Sequence, residues 1–254
     1  MADSAQSAFL AAPHPRILAH RGLAREAPEN TLLAFAHALA NGATHLETDV
    51  HVSLDGVAVI SHDPDLTRLG RDLRIDQLTM VELQHISLGA GQSFTSLNDA
   101  LESFPAALFN IDVKTDGAAE PTARAILNQR ATERVLVTSF RESRRRYTLG
   151  LLPGVVSSAS SSLVAQALAL CHLGREEPIR RILQGCVAVQ VPERVGRVHI
   201  LSPRFITMMH RVGVEVHVWT INDPTDMTRL LDRGVDGLVT DRTDLARDVI
   251  TRRT

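Results

Sequence analysis

The sequence predicts a parallel α/β protein, and three observations support that class. Short apolar runs alternate with helix-patterned stretches along nearly all of the 254 residues, the repeat produced when each strand of a parallel sheet is followed by a crossover helix. Several of these runs are rich in Val and Ile and apolar on both faces, as strands covered by helices must be. No Pro/Gly/Ser linker divides the chain, and its length suits an α/β barrel of ~250 residues folding as one unit. On pattern alone a closed barrel and an open doubly wound sheet both remain. The absence of a Gly-rich dinucleotide fingerprint after the first strand weakens the second.

Taken in order, the expected strands are 16–20, 45–52, 57–62, 108–114, 134–140, 155–159, 188–191, 214–221 and 237–240. Helices are expected at 31–40, 120–129, 161–173, 203–212, 224–233 and 245–251. Leu32, Phe35, Ala36 and Leu39 give the first helix its apolar stripe. Asn41-Gly42 and Arg233-Gly234 supply C-terminal stops, and Asp223-Pro224 supplies an N-cap followed by proline at the first helical position. Residues 63–96 are too long for an ordinary connection and suggest a small insertion near the barrel mouth. Residues 1–15 have no basic region and only a short apolar stretch, 8–12, which does not make a signal peptide, and are expected to form a mobile leader before a domain covering 16–254.

A net charge of −2 with both signs scattered leaves no electrostatic footprint for nucleic acid. Arg144–Arg146 and Arg252–Arg253 read as solvated faces. No apolar run approaches the ~18–20 residues of a membrane span. Cys171 and Cys186 lack metal-ligand spacing and read as buried free thiols, which suits a reducing cytoplasm.

The chemistry concentrates in a few places. His45, Glu47, Asp49 and His51 fall at period two and share one strand face. Two carboxylates on one face of an apolar strand repel each other and are costly to bury. A divalent cation such as Mg2+ or Ca2+ relieves both costs, while an exposed edge strand avoids them. Asn110, Asp112 and Lys114 share a face of the 108–114 strand. Asp112 can complete a carboxylate site with Lys114 meeting a phosphate oxygen, or the two can form an internal salt bridge. His20-Arg21-Gly22 ends the first strand and His62-Asp63 ends another, which is where barrel enzymes carry catalytic groups. Paired histidines can divide proton transfer, and Arg21 can clamp a phosphate. His14, His37, His85, His172 and His210 read as structural or surface. His45, His199 and His217 read as core or rim groups, with His217 close enough to Trp219 to face a site. Asn30 and Thr31 read as caps of the first helix, Asp55-Gly56 as a turn, and Asp236 and Asp241 as loop residues.

The segment HRGLAREAPENTLLAFAHALANGATHLETDVHVSLDGVAVISHD, residues 20–63, resembles the glycerophosphodiester phosphodiesterase family, which carries HRG, PENT, ExD, DG and HD in this order. NIDVK at 110–114, VWTINDP at 218–224 and GVDGLVTDR at 234–242 extend the likeness over residues 16–250. The resemblance implies a (β/α)8 TIM barrel with one divalent cation, Mg2+ or Ca2+, at its mouth. It implies His20 and His62 as the acid/base pair, and Glu47, Asp49 and Asp112 as metal carboxylates. Glu29 becomes a further ligand or a residue that orients one. Arg21 and Lys114 match phosphate-binding positions, and Trp219 lines the alcohol pocket. The family usually has Glu at the position of Asp112, and Asp is one methylene shorter. The usual Thr-Lys before Asp55-Gly56 is Ser53-Leu54 here, within a turn.

The activity implied is metal-dependent hydrolysis of glycerophosphodiesters to sn-glycerol 3-phosphate and an alcohol, with a small-molecule phosphodiester as partner and homo-oligomer formation left open. A lysophospholipase D or phospholipase C-like activity on lipid phosphodiesters is the alternative. It would show an apolar lip at the mouth, for which Phe94 and the 63–96 segment are candidates. A barrel that only binds phosphodiesters would have little need for both histidines.

Overall fold

Eight strands alternate with helices along the chain, each strand being followed by a helix of the outer layer. In the computed structural model, which describes residues 7–253, these strands are β1 (Arg16–His20), β2 (His45–Val52), β3 (Leu108–Val113), β4 (Val135–Thr138), β5 (Val156–Ser158), β6 (Cys186–Val191), β7 (Glu215–Val218) and β8 (Gly237–Thr240). They pair in parallel in chain order, and β1 pairs with both β2 and β8, which closes the sheet. The outer helices are α1 (Leu32–Ala40), α2 (Leu97–Ser103), α3 (Ala119–Asn128), α4 (Glu142–Gly150), α5 (Ser161–His172), α6 (Pro203–Arg211), α7 (Pro224–Asp232) and α8 (Thr243–Thr251). The fold is a (β/α)8 barrel, and the open doubly wound alternative is excluded by closure.

The caps read from sequence act as expected. Asp223 accepts hydrogen bonds from the backbone N–H groups of Thr225 and Asp226 at the start of α7. Thr31 accepts from the Ala34 N–H at the start of α1. Helix α4, ESRRRYTLG, has no apolar stripe and was not among the expected helices; Arg145, paired with Glu142 of the same helix, anchors it through the buried Ser157 hydroxyl.

The expected strand at 57–62 is not a barrel strand. Ala58–Ile60 folds back antiparallel on β2 through the Asp55-Gly56 turn, where Gly56 has φ 76°. His62 therefore reaches the mouth by hairpin register rather than at the C-terminal end of a barrel strand. Ser61 N–H bonds to the Asp49 carbonyl, which sets its height. The following insertion has its own small core of Leu66, Ile75, Met80, Leu83, Ile86 and Phe94 beside Val59. Phe94 is consumed in that core and forms no lip at the mouth.

Residues 1–6 lie outside the described residues; in the rest of the stretch expected to be a mobile leader, Phe9 is buried. A short helix, Ala8–Ala11, plugs the N-terminal end of the barrel with the fully buried Phe9, which lies 4.4 Å from the His45 ring. Burial pushes the His45 pKa down to about 3, so this ring is neutral. The buried Arg16 guanidinium holds the plug by donating to the carbonyls of Phe9, Leu10 and Ala12 and pairs with both oxygens of Glu215 at 2.7 and 2.6 Å. His217 bonds to Glu215 at 2.9 Å and is fully buried. It belongs to this network and does not face the mouth beside Trp219.

Burial alone would raise the Glu215 pKa, but the bonds from Arg16 and His217 hold it down at about 2. A carboxyl depressed from its ordinary value stabilises the fold above the unfolded pKa and loses that contribution as pH falls toward the folded one. Wild-type protein is expected to lose on the order of 2–3 kcal/mol from this group between pH 4.5 and 2. Glu215→Gln strands the buried Arg16 charge and is expected to cost about 3 kcal/mol at pH 7, with a flatter acid limb. Urea denaturation across pH 2–7 measures both; an unchanged midpoint at pH 7 contradicts the assignment.

Candidate active site

Register decides which side chains meet at the mouth. Across β1, β2 and β3, His20 lies beside Glu47 and Glu47 beside Asn110. Farther along, Asp49 lies beside Asp112 and Asp112 beside Thr138. The alternation read from sequence therefore becomes two rows of polar side chains inside the barrel, and β2 is buried rather than an exposed edge strand. These rows line one end of a cavity of about 630 Å3, a size typical of ligand sites.

Glu47, Asp49 and Asp112 are all nearly inaccessible to water. Lys114 Nζ sits 2.6 Å from Asp49 Oδ1 and 2.7 Å from Asp112 Oδ2, so the internal salt bridge left open by the sequence is formed. Burial opposes the Lys114 charge, but the two carboxylates outweigh it and raise its pKa. Arg21 Nε lies 3.2 Å from Asp49 Oδ2, and its Nη1 reaches Glu29 Oε1 at 3.1 Å. Glu47 has no cation in contact. Burial, with the charge of Asp49, pushes its pKa up to about 8. Burial raises Asp112 as well, and its Oδ1 has no hydrogen-bond partner.

The two histidines share one arrangement. His20 Nδ1 lies 2.7 Å from Asp241 Oδ1, and His62 Nδ1 lies 2.7 Å from Asp63 Oδ1. A ring whose Nδ1–H donates to its carboxylate keeps Nε2 free of that partner. Burial lowers the His20 pKa, yet the Asp241 bond and the Glu47 charge raise it overall. Asn222 donates to Asp241, and Arg68 from the insertion pairs with Asp63 at 2.9 Å. His51 Nε2 lies 3.1 Å from the His62 carbonyl.

His20, Arg21, Glu47, Asp49, His62, Asp112, Lys114 and Trp219 all border one cavity. Glu29 does not; it sits outside, paired with Arg21 and Arg68. Asn30, expected to serve as a helix cap, instead accepts from Thr48 at 2.8 Å and reaches Asp49, with a positive φ of 58°. Gly22 also has positive φ, and a Cβ there would lie 2.7 Å from the Ala34 backbone, which explains glycine after His20-Arg21. Asp241, Asn222 and Arg68 were not among the expected site residues. Asp241 had one cue, its place just past the final barrel strand.

No group of three or more His, Cys, Asp or Glu side chains among the described residues is arranged as a ready metal cage. The donor chemistry nevertheless fits a hard cation. The Asp112 Oδ1, which has no hydrogen-bond partner, and the Glu47 carboxyl, raised by burial and by Asp49, are buried oxygen donors open to such an ion.

A model of the glycerophosphoryl diester phosphodiesterase family matches residues 20–245. The chain belongs to this family. A Mycobacterium tuberculosis relative named probable glycerophosphodiester phosphodiesterase 2 is 40% identical over 239 residues, 93% of this chain and 90% of that protein. The glycerophosphodiester phosphodiesterase of Thermotoga maritima has a crystal structure with a TM-score of 0.73 and 27% identity, covering 94% of this chain and 99% of that one. An Oleispira antarctica phosphodiesterase solved with the product sn-glycerol-3-phosphate shares the fold, at a TM-score of 0.76, 22% identity and coverage of 94% and 97%. As a family member the chain is a phosphoric diester hydrolase. Among its described residues no helix is long and apolar enough to cross a membrane.

Lys114 is the principal counter-charge for Asp49 and Asp112, so Lys114→Met is expected to destabilise the cation-free protein by about 3 kcal/mol. Chemical denaturation with and without added Mg2+ measures this. A variant as stable as wild type without cation contradicts the electrostatic role of Lys114.

Proposed function

We propose that this phosphodiesterase hydrolyses glycerophosphodiesters to sn-glycerol 3-phosphate and an alcohol, with His20 and His62 as its acid/base pair. One observation carries the reading: two carboxylate-oriented imidazoles border the same cavity as two cations and three buried carboxylates. With Nδ1 of each ring committed to its carboxylate, Nε2 of one histidine takes the proton of the attacking oxygen, either water or the neighbouring glycerol hydroxyl, whose cyclic phosphate water then opens. Nε2 of the other protonates the departing oxygen. Asp241 and Asp63 hold those rings and tautomers, with Asn222 and Arg68 fixing the carboxylates in turn. Arg21 and Lys114 supply fixed positive charge to the phosphoryl oxygens, where preorganised electrostatics act most strongly. Trp219 borders the cavity on the side of the departing alcohol.

Glu47, Asp49 and Asp112 would hold one divalent cation, Mg2+ or Ca2+, with Glu29 orienting Arg21 beside them. Such a cation supplies Lewis-acid charge at a phosphoryl oxygen and lets Glu47 ionise. The short Asp112 side chain would offer its unpartnered Oδ1. Two buried, unpaired cysteines, Cys171 and Cys186, suit a reducing cytoplasm.

His20→Ala and His62→Ala are each expected to lower kcat on glycerophosphodiesters by about 10²-fold or more. Enzymatic detection of released sn-glycerol 3-phosphate checks this, and near wild-type turnover in both variants would refute the assignment. EDTA is expected to abolish activity and Mg2+ or Ca2+ to restore it. Glu47→Gln is expected to remove the thermal stabilisation produced by those ions. An EDTA-insensitive enzyme would rule out the cation.

A further inference from the structure

The active-site cavity has a polar floor, and a hydrogen-bonded chain along the barrel axis connects that floor to the N-terminal plug. Glu215, ionised against Arg16, accepts from His217 Nε2 at 2.9 Å. A ring that donates from Nε2 to a carboxylate and meets an amide nitrogen at its other edge uses Nδ1 as an acceptor. Gln190 Nε2 lies 3.3 Å from His217 Nδ1 and 3.1 Å from Asn110 Oδ1, so both of its N–H groups are used. Ser158 donates to Gln190 Oε1 at 3.2 Å, which fixes the other end of the amide. The His217 ring is fully buried and packs so closely on β8 that a Cβ at Gly237 would lie 2.8 Å from it. The consequence falls on Asn110. Its Oδ1 accepts from Gln190, so the N–H groups of Nδ2 are the polarity it presents to the cavity that it borders.

We propose that Asn110 is the donor that binds the terminal hydroxyl of the substrate's glycerol arm, and that Gln190 and His217 are positioning residues that set its polarity. The inference deepens the glycerophosphodiesterase reading above and rests on it. Lys114 and Arg21, the cations assigned to the phosphoryl group, pair with the outer row of carboxylates, Asp49 and Asp112. Asn110 stands in the inner row beside Glu47, two residues deeper on β3 than Asp112. Two residues of strand span about 6.6 Å, a distance that a three-carbon glycerol arm bridges from phosphate to terminal oxygen. A hydroxyl both accepts and donates, and the floor offers Asn110 Nδ2 to give and the neighbouring Glu47 carboxyl to receive. Beneath Asn110 and Gln190 the axis is filled by His217, Glu215 and Arg16, of which His217 and Arg16 are fully buried. The floor therefore holds a free terminal hydroxyl and has no room for an acyl chain on that oxygen. Deacylated glycerophosphodiesters and lysolipids are thus told apart at the glycerol arm.

The test compares esters of 4-nitrophenyl phosphate with glycerol, with 1-butanoylglycerol, and with 2-hydroxypropanol lacking only the terminal hydroxyl. All release 4-nitrophenolate. In wild type, kcat/KM for the glycerol ester is expected to exceed that for the 2-hydroxypropyl ester about tenfold or more, with the butanoyl ester no better than the 2-hydroxypropyl ester. In Asn110→Leu and in Gln190→Met this ratio is expected to fall toward unity. Each ratio is taken within one protein, so a reduced folded fraction cancels. His217 gives a crossed outcome. In His217→Asn the side-chain oxygen can stand where Nδ1 stood and accept from Gln190, while the bond to Glu215 is lost. In His217→Gln the amide nitrogen can stand where Nε2 stood and keep Glu215, while the acceptor for Gln190 is lost. The ratio is therefore expected to persist in His217→Asn and collapse in His217→Gln, whereas the urea midpoint falls further in His217→Asn. A purely structural role moves both readouts together. A wild-type ratio near one, a ratio unchanged in both Asn110→Leu and Gln190→Met, or a butanoyl ester equal to the glycerol ester overturns the proposal. So does a ratio that follows the urea midpoint across the two His217 variants. Cleavage of the 2-hydroxypropyl ester with no turnover of the glycerol ester would overturn the glycerophosphodiesterase reading and this inference with it.

Discussion

Three carboxylates buried on two neighbouring strands are the constraint on which the rest of this molecule depends. Glu47 and Asp49 on β2 and Asp112 on β3 are set side by side by register, and each is almost wholly removed from water. Left alone they would repel one another and resist ionisation. Lys114 and Arg21 balance Asp49, and Lys114 also balances one oxygen of Asp112. Glu47 and the second Asp112 oxygen have no such balance. The protein thus concentrates electrostatic tension at the barrel mouth, the pattern expected when perturbed groups gather at a functional site.

The opposite end of the barrel solves a similar problem without leaving anything open. Arg16, Glu215 and His217 are buried together, and nearly every polar atom has a partner, including carbonyls of the Ala8–Ala11 plug. A closed network stabilises, whereas an incomplete one is poised to accept a ligand. This division matches the general asymmetry of such barrels, in which the N-terminal face serves stability and the C-terminal face serves chemistry. Charged and polar groups from β1 to β4 border the cavity there, together with apolar side chains of the 194–199 hairpin and α5.

Much of this was legible along the chain because the governing patterns are local. Period-two spacing put Glu47 and Asp49 on one face, and the HRG, ExD and HD segments located the histidines and carboxylates near strand ends. What escaped depended on chain reversal or distant pairing. The 57–62 strand pattern looks like any other, and only its antiparallel return on β2 explains how His62 arrives at the mouth. Phe94 looks like a lip residue until the insertion is seen to need it for a core. Asn30 follows the pattern of a helix cap, yet its side chain is used by Thr48 and Asp49. Asp241 is 221 residues from His20, and no local pattern announces their 2.7 Å contact.

The sequence by itself determined the α/β class, the helix boundaries set by Thr31, Asn41-Gly42 and Asp223-Pro224, and the residue types able to handle a phosphodiester. These follow from backbone preferences and side-chain chemistry acting within a few residues. Tertiary structure alone decided that the sheet closes, that Lys114 sits between Asp49 and Asp112, that Asp241 and Asp63 orient the two histidines, and that Val195 and Val198 reach the cavity. Those outcomes depend on strand register and barrel closure, which bring together groups separated by up to most of the chain. The energies that fix them, burial and charge pairing, depend on distance in space rather than along the sequence.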